Sequence, residues 1–243
     1  MLTRIEISDS VGKLILSRPR TNSLNHEFLV EIYNRICAFE VDANIHYVVI
    51  LSDLPFGFSS GLDLGAFFSD SNKFAANVFN AVQQVYEINK KIISSPKIYL
   101  AGLSGPVIGS AASFVFSCDF RLAATNTWFW LPDPQYGGLL ADGGLELLVR
   151  LVGLSKAKMF ALTNERINAA QAFDSGMINK LYDIDKLHKS IDDFVSKLLK
   201  YSYDTISYSK QIMNSGLLPQ FHNDALNNIL QSGDLPNRMS RFL

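Results

Sequence analysis

Cysteine is scarce in this sequence. Cys37 and Cys118 are the two thiols among 243 residues, and their separation fits neither a metal site nor a disulfide framework. Both lie in apolar, helix-like surroundings, so we expect buried thiols in a reducing compartment and a cytoplasmic location. The four histidines are scattered, with no pair at ligand spacing, which argues against a metal site.

An excess of one charge and a long apolar run are also missing. Lys and Arg number 22 against 23 Asp and Glu, so the net charge is −1 and indicates no surface for nucleic acid or membrane lipids. No apolar run approaches the ~20 residues of a membrane span. The chain opens on a strand-like stretch instead of a signal peptide. With 48% hydrophobic residues, it can build one domain with a sizeable core.

Strand-like and helix-like segments alternate through most of the chain. A strand pair is followed by a helix over 26–42, and a long helix around 73–95 leads into a strand over 97–103. This alternation predicts an α/β core over residues 1–184 with mainly parallel strands. The amphipathic helical region over residues 185–243 is expected to pack on that core or on a neighbouring subunit.

Two short motifs have to be interpreted. The sequence GFSSG at 57–61 formally matches the G-x-S-x-G nucleophile elbow, but the segment DLP at 53–55 interrupts the strand that an elbow needs. The run GPVIGSAASF at 105–114 has almost only small side chains and lacks the Lys of a phosphate loop. It indicates either close helix packing or a ligand held against main-chain N–H groups at a helix start.

Four segments, taken in chain order, resemble the crotonase superfamily, the enoyl-CoA hydratase and isomerase group. Residues 16–25 (LSRPRTNSLN) resemble its R-P-x-x-N-x-L-N signature, and residues 58–64 (FSSGLDL) resemble its F-S-x-G-x-D-L loop. Residues 104–124 resemble the N-G-x-x-x-G-G-G-x-E-L-x-x-x-C-D-x-R-x-A segment, and residues 129–153 resemble the stretch with the second catalytic acid. The order and near-family spacing make the resemblance specific.

The resemblance implies a spiral of repeated β-β-α units with a C-terminal helical trimerisation region, giving a homotrimer or hexamer. It implies an acyl-CoA or acyl-carrier thioester as substrate and no separate cofactor, since coenzyme A is part of the substrate. The shared chemistry of the group is stabilisation of a thioester enolate by two main-chain N–H groups. By position these belong to Leu62 and Ser110, where the group favours Gly at the second site.

The resemblance also implies contacts with the carrier end of the substrate. Arg20 suits a phosphate, although an Arg in such a turn is often only solvated, and Asp63 equally suits a turn or a helix cap. The positions that correspond to carrier contacts are Arg20, Ser23, Ser60, Leu62, Asp63 and Leu64.

The carboxylates decide which reaction is expected. Hydratases of the group use two glutamates, and Ser113 and Asp133 occupy these positions here. Serine alone is a poor general base, so two-carboxylate hydration is disfavoured. Single-acid isomerases of the group keep their acid at the position of Asp133, where apolar neighbours would raise its pKa. The sequence therefore favours an enoyl-CoA double-bond isomerase, with Asp133 also readable as a turn residue.

Asp142 is a second candidate, because related dihydroxynaphthoyl-CoA synthases carry an Asp in a similar D-G-G sequence. The same Asp also suits a helix N-cap. The alternatives to isomerisation are hydration, decarboxylation or thioester hydrolysis with Asp142 taking part, and a catalytically silent homologue that binds coenzyme A.

Overall fold

The computed structural model of the chain describes residues 1–68, 71–215, 223–231, 237, 239 and 240. Strands and helices alternate along it. The strands are β1 (Thr3–Ser8), β2 (Val11–Leu16), β3 (Tyr47–Ser52), β4 (Ile98–Leu103), β5 (Pro106–Ile108), β6 (Phe120–Ala124), β7 (Trp128–Trp130), β8 (Ile167–Asn168) and β9 (Lys180–Tyr182). The helices are α1 (His26–Val41), α2 (Leu64–Phe68), α3 (Phe74–Ser94), α4 (Ser110–Phe116), α5 (Asp133–Tyr136), α6 (Gly144–Leu162), α7 (Ala169–Asp174), α8 (Leu187–Leu198), α9 (Tyr203–Asn214) and α10 (Asn223–Gln231).

The strands form two sheets. The larger has the order β1-β2-β3-β4-β6-β9, in which β1 and β2 are an antiparallel hairpin and the other neighbours are parallel. The smaller has the order β5-β7-β8, with β5 and β7 parallel and β8 antiparallel to β7. Helices α1 and α3 make the crossovers into β3 and β4. The predicted α/β architecture with mainly parallel pairing is confirmed.

The central strands are apolar throughout because both of their faces are covered. Val48 and Ile50 of β3 belong to the core that α1 and α3 complete, whereas Val49 and Leu51 face α8. A Cβ at Gly102 of β4 would lie 2.4 Å from Ile191 Cδ1 of α8. The first helix of the C-terminal region therefore packs closely on the sheet of its own chain.

The predicted long elements agree with the structure, whereas two short elements, α2 and β5, were missed. The predicted helix over 26–42 is α1 and the one around 73–95 is α3, each within a residue or so at its ends. The sequence also predicts a loop over 53–72, and this segment contains α2; the bare run at 105–114 contains β5. Three to five residues are too few to display a strand or helix period.

The C-terminal helices predicted after residue 184 are present as α8, α9 and α10. The sequence predicts that the last of these helices begins near residue 220, which lies outside the described residues. Across the described ranges, no helix combines the length and the hydrophobicity that crossing a membrane requires.

Candidate active site

A cavity of about 350 Å³ opens between the 59–64 loop, the start of α4, the α5 turn, α3 and α10. Five of the residues predicted from the sequence line it: Ser60, Leu62, Leu64, Ser110 and Asp133. A second cavity of about 420 Å³ lies between α9 and α6, and none of the predicted residues lines it. The predicted site residues therefore cluster at the first cavity, which we take as the candidate active site.

Leu62 and Ser110, which both line this cavity, have main-chain N–H groups without an acceptor among the described residues. Ser110 is the first residue of α4, so its N–H has no carbonyl one turn earlier to bond. Neither the Leu62 N–H nor the Ser110 N–H donates to any described residue. The two loops touch backbone to backbone, since a Cβ at Gly61 would lie 2.5 Å from the Ile108 carbonyl oxygen. The structure thus brings the two predicted donors to one wall.

The small residues at 105–114 meet two separate needs. Gly105 has a φ of 64°, and a Cβ there would lie 2.7 Å from the Phe56 carbonyl oxygen, so this glycine permits close packing. Gly109 has φ 54° and ψ −127°, a conformation that side chains strongly disfavour, and a Cβ there would have nothing within 4 Å. The run therefore allows close contact between two loops at its first glycine and leaves a bare cavity wall at its second.

Asp133 is the first residue of α5, and its carboxyl group is largely desolvated. Its Oδ2 is buried and has no hydrogen-bond partner among the described residues. Burial, together with negative charge on Asp142, raises the pKa of Asp133 to about 7. A hydrogen bond of 2.6 Å from Asn164 Nδ2 to Gln135 Oε1 braces the turn that carries it. Trp130, which lines the cavity, donates its Nε1–H to the Asn164 carbonyl oxygen at 3.1 Å.

Asp142 lies behind the cavity wall and not among the described residues that line it. Its relative exposure is 0%, and its Oδ1 accepts the Gly144 N–H at 3.1 Å. Burial raises the pKa of Asp142 to about 6, while the nearby Ser113 and Ser110 hydroxyls oppose that rise. Asp142 therefore does not contact the cavity, and this position does not support a catalytic role for it.

Ser113 is also fully buried and fills space between two helices. A Cβ added to Gly144 of α6 would lie 1.9 Å from Ser113 Oγ, so α4 and α6 touch at this point. The side chain that stands where a hydratase would hold a glutamate thus serves helix packing.

Two of the residues predicted at the carrier end, Ser23 and Asp63, form a cluster around Arg18, which the sequence analysis missed. Arg18 Nη2 lies 2.7 Å from Asp63 Oδ2, and Arg18 also donates to the Ser23 hydroxyl and carbonyl oxygens. Asp63 Oδ1 accepts the Ala66 N–H at 3.0 Å at the start of α2, so the proposed cap role of Asp63 is present. Arg20 is exposed on a turn at φ 75°. The first arginine of the R-P-R sequence was the available signal for this cluster.

Asn22 is a second residue that the sequence analysis missed. It is fully buried at φ 48°, and its Nδ2 donates to the Phe58 carbonyl oxygen at 3.0 Å and to Ser52 Oγ at 2.9 Å. It thereby fixes the 59–64 loop against β2 and β3. Elsewhere in the described ranges, no group of three His, Cys, Asp or Glu side chains could hold a metal ion.

Comparison with known proteins places this geometry in a family. The family described as Enoyl-CoA hydratase/isomerase matches residues 6–228. A crotonyl-CoA hydratase of Syntrophomonas wolfei is 28% identical over 88% of this chain and 81% of its own. A trans-2-decenoyl-[acyl-carrier-protein] isomerase of Streptococcus mutans is 27% identical over 85% of this chain and 79% of its own.

Solved structures show the same fold. An enoyl-CoA hydratase of Bacillus halodurans superposes with a TM-score of 0.90 over 99% of this chain and 100% of its own, at 18% identity. One from Geobacillus kaustophilus gives a TM-score of 0.83 over 99% of this chain and 93% of its own, at 26% identity. The chain adopts the crotonase fold that its four sequence segments led us to expect, and it belongs to the enoyl-CoA hydratase/isomerase family of acyl-CoA enzymes.

Proposed function

We propose that the protein isomerises a 3-enoyl thioester to a 2-enoyl thioester. The double bond moves from between C3 and C4 to between C2 and C3. The observation that carries this proposal concerns the cavity lining. Among the described residues that line it, Asp133 has the only carboxyl group. A single acid–base group beside an oxyanion site suffices for a proton to leave one carbon and return to another.

The reaction begins with a 3-enoyl thioester whose carbonyl oxygen accepts the Leu62 and Ser110 N–H groups. The Asp133 carboxylate removes a proton from C2, and the electron pair spreads over a dienolate whose charge rests on the thioester oxygen. Protonated Asp133 then returns the proton at C4, and the double bond appears between C2 and C3. Atoms and charge balance without a co-reactant.

The energetic contributions agree with this assignment. A preorganised N–H donor aimed at a developing oxyanion contributes about 3 to 4 kcal/mol. The pKa of about 7 for Asp133 allows its carboxylate to accept a proton and its acid form to return one near neutral pH. The apolar walls given by Val78, Val82 and Leu226 suit an alkyl chain.

Hydration is the alternative, and two named relatives illustrate the choice, since one is a hydratase and the other an isomerase. Adding water across the double bond by the two-acid route needs a second carboxylate at the cavity. Ser113 and Asp142 both lie behind the wall. The names also leave coenzyme A and acyl carrier protein as alternative carriers, and no separate cofactor is needed in either case.

The test supplies 3-enoyl-CoA and 2-enoyl-CoA of one chain length in separate assays and identifies the products. We expect conjugated 2-enoyl-CoA from the first substrate and no 3-hydroxyacyl-CoA from the second. Formation of 3-hydroxyacyl-CoA from 2-enoyl-CoA, at a rate comparable to that of isomerisation, would show that the protein is a hydratase. Tight binding without any turnover would instead identify a silent homologue. Repeating the assays with the same acyl groups on acyl carrier protein identifies the carrier.

A further inference from the structure

Trp130 lines the candidate cavity but has no part in the proposed proton transfer. Its indole is half-buried, and the residue precedes Asp133 closely in the chain. Trp128 points to the same face of β7, because side chains two apart on a strand share a face, but it is not among the described residues that line the cavity. A large ring in the wall next to the acid restricts the acyl group that can reach it.

The position of Trp130 is fixed through its main chain and its side chain. The Trp130 carbonyl oxygen accepts the Gly109 N–H at 2.9 Å, which joins the residue to the start of α4. Its Nε1–H donates to the Asn164 carbonyl oxygen at 3.1 Å. The Tyr136 ring of α5, which also lines the cavity, meets the indole edge-on with the ring centroids 6.3 Å apart. The indole is therefore joined to the segments that carry the proposed oxyanion donor and Asp133.

Arg166 contacts the same ring and is not among the described residues that line the cavity. Its guanidinium carbon lies 5.5 Å from the centroid of the Trp130 ring and 4.5 Å from that of Trp128. β8 runs antiparallel to β7, and continuing their register by one residue sets Arg166 opposite Trp130. A guanidinium over an indole face is attracted by the ring. The indole thus has little freedom to swing aside, and Trp130 forms a rigid part of the wall.

We propose that Trp130 is a specificity-determining residue, whose fixed indole beside Asp133 accommodates a straight acyl chain and excludes one with a branch at C4. The inference rests on the proposed isomerisation, because that reaction brings C4 to the Asp133 carboxyl group. It assigns thioesters of unbranched acyl groups to the protein as its substrate class.

The planar dienolate explains why the wall acts at C4. A planar C4 carries two substituents in the plane of the conjugated carbons, and the proton that Asp133 delivers arrives from above or below that plane. In a straight chain one substituent is hydrogen, whereas a methyl branch places carbon at both positions. Trp130 and Tyr136 are the aromatic side chains among the described lining residues. A hydrophobic pocket discriminates between substrates that differ by one methylene group by about 10- to 200-fold.

The first test measures binding, so that it does not depend on turnover. Hexanoyl-CoA and 4-methylpentanoyl-CoA are saturated isomers, and only the second has a branch at C4. In calorimetry we expect wild-type protein to bind hexanoyl-CoA at least about tenfold more tightly. Trp130→Leu should bring the two dissociation constants within about threefold of each other, because leucine opens space beside C4. Trp130→Phe, which keeps a smaller ring and serves if the leucine variant does not fold, should also lower the ratio.

Trp128→Phe is the matched control. It removes the neighbouring indole, which contacts the same Arg166 outside the described cavity lining, and should keep the wild-type ratio. Because the chain has 2 tryptophans, this variant leaves Trp130 as its single indole. The fluorescence of Trp130 should change when hexanoyl-CoA binds and stay constant when coenzyme A without an acyl group is added. In Trp130→Phe, the remaining Trp128 should not respond to hexanoyl-CoA.

Turnover is then compared with 3-hexenoyl-CoA and 4-methyl-3-pentenoyl-CoA. The ratio of their kcat/KM values includes the intrinsic reactivity of each substrate, which cancels when two protein variants are compared. The preference for the straight substrate should fall at least about threefold from wild type to Trp130→Leu, and should stay unchanged in Trp128→Phe.

Equal wild-type affinity for the two saturated isomers would overturn the proposal. So would a ratio that Trp130→Leu and Trp130→Phe leave unchanged, an equal loss of preference in Trp128→Phe, or a Trp130 fluorescence that does not respond to hexanoyl-CoA. A tenfold binding preference without isomerisation of either unsaturated substrate would reject the proposed reaction and leave the selection by Trp130 intact.

Discussion

Asp133 is expected to carry the proton transfer, and its replacement is the most direct test at the scale of single residues. Asp133→Asn keeps the shape of the side chain and removes its ability to take a proton. We expect kcat to fall by a factor of about 10² to 10⁴, the usual contribution of a general base. Binding of a saturated acyl-CoA should change by less than about twofold in calorimetry. An isomerisation rate close to wild type would show that another residue is the general base.

The same residue should give the protein a particular pH dependence. The pKa of Asp133 is about 7 in the folded chain and about 3.9 in an unfolded one, so the folded state holds a proton that the unfolded state releases. The contribution of Asp133 to the free energy of unfolding should therefore fall as the pH rises from about 4 to 7, whereas kcat should rise through pH 7 as the carboxylate forms.

Urea denaturation at a series of pH values checks the stability, and an initial-rate profile checks kcat. Asp133→Asn should flatten the stability curve over the same interval, leaving the part that Asp142 contributes. A difference in stability between wild type and Asp133→Asn that stays constant from pH 4 to 7 would contradict the raised pKa.

Single residues were predictable from the sequence when their proposed role depends on a local motif, and not when it depends on contacts between distant parts of the chain. The roles that we propose for Leu62 and Ser110 use main-chain N–H groups next to glycines, and glycines are visible in a sequence. The ties that hold the site, such as Arg18 to Asp63 across 45 residues, arise only when the chain folds. Asp142 shows the same limit, because nothing in D-G-G tells whether the carboxylate faces a cavity or a neighbouring helix.

At the scale of elements, the α5 turn needs a brace from the loop that follows α6. Asn164 has a φ of 59° and donates Nδ2–H to Gln135 Oε1 at 2.6 Å. Asn164→Gly keeps the backbone conformation and removes the brace, so kcat should fall several-fold while stability stays close to wild type. Asn164→Ala should lose similar activity and, in addition, about 1 kcal/mol of unfolding free energy, because alanine disfavours this φ.

Gln135→Ala provides the matched control for that pair. It removes the same hydrogen bond from the other side without touching the strained backbone, so its kcat should resemble that of Asn164→Gly. Wild-type kcat in both Gln135→Ala and Asn164→Gly, measured with the 3-enoyl-CoA assay, would show that α5 needs no brace.

Whole elements were predictable where their period is long enough to be seen. The hydrophobic repeats of α1 and α3 located both helices, and the apolar sequence over 97–103 indicated the strand that is β4. The three residues of β5 are too few to show such a period, so only their pairing with β7 identifies them as a strand. The paired N–H groups of the site depend on that pairing, because β5 leads directly into the glycine before α4.

At the scale of the whole molecule, the C-terminal region is joined to the core by more than apolar packing. Lys210 of α9 is 4% exposed, and its Nζ lies 2.8 Å from Asp119 Oδ2. The same ammonium donates to the Ile92 and Lys97 carbonyl oxygens at 3.0 Å and 2.7 Å. One side chain thus connects α9 to the end of α3, the start of β4 and the segment before β6, which lies next to α4.

Lys210→Met should therefore destabilise the protein strongly. The substitution keeps most of the side-chain volume but leaves Asp119 buried without its cation, a loss that typically costs about 3 to 5 kcal/mol. Burial already raises the pKa of Asp119, and Lys210 opposes that rise, so removing Lys210 should raise this pKa further. The variant should lose part of its deficit at low pH, where Asp119 becomes neutral.

Combining Lys210→Met with Asp119→Asn separates charge from packing. Asparagine can still accept the Tyr99 N–H that Asp119 accepts at 2.8 Å, and it needs no cation. The double variant should recover at least half of the unfolding free energy lost in Lys210→Met when both are measured in urea at pH 7. A double variant that is less stable than Lys210→Met would mean that carbonyl contacts of the ammonium, and not the ion pair, hold the C-terminal region on the core.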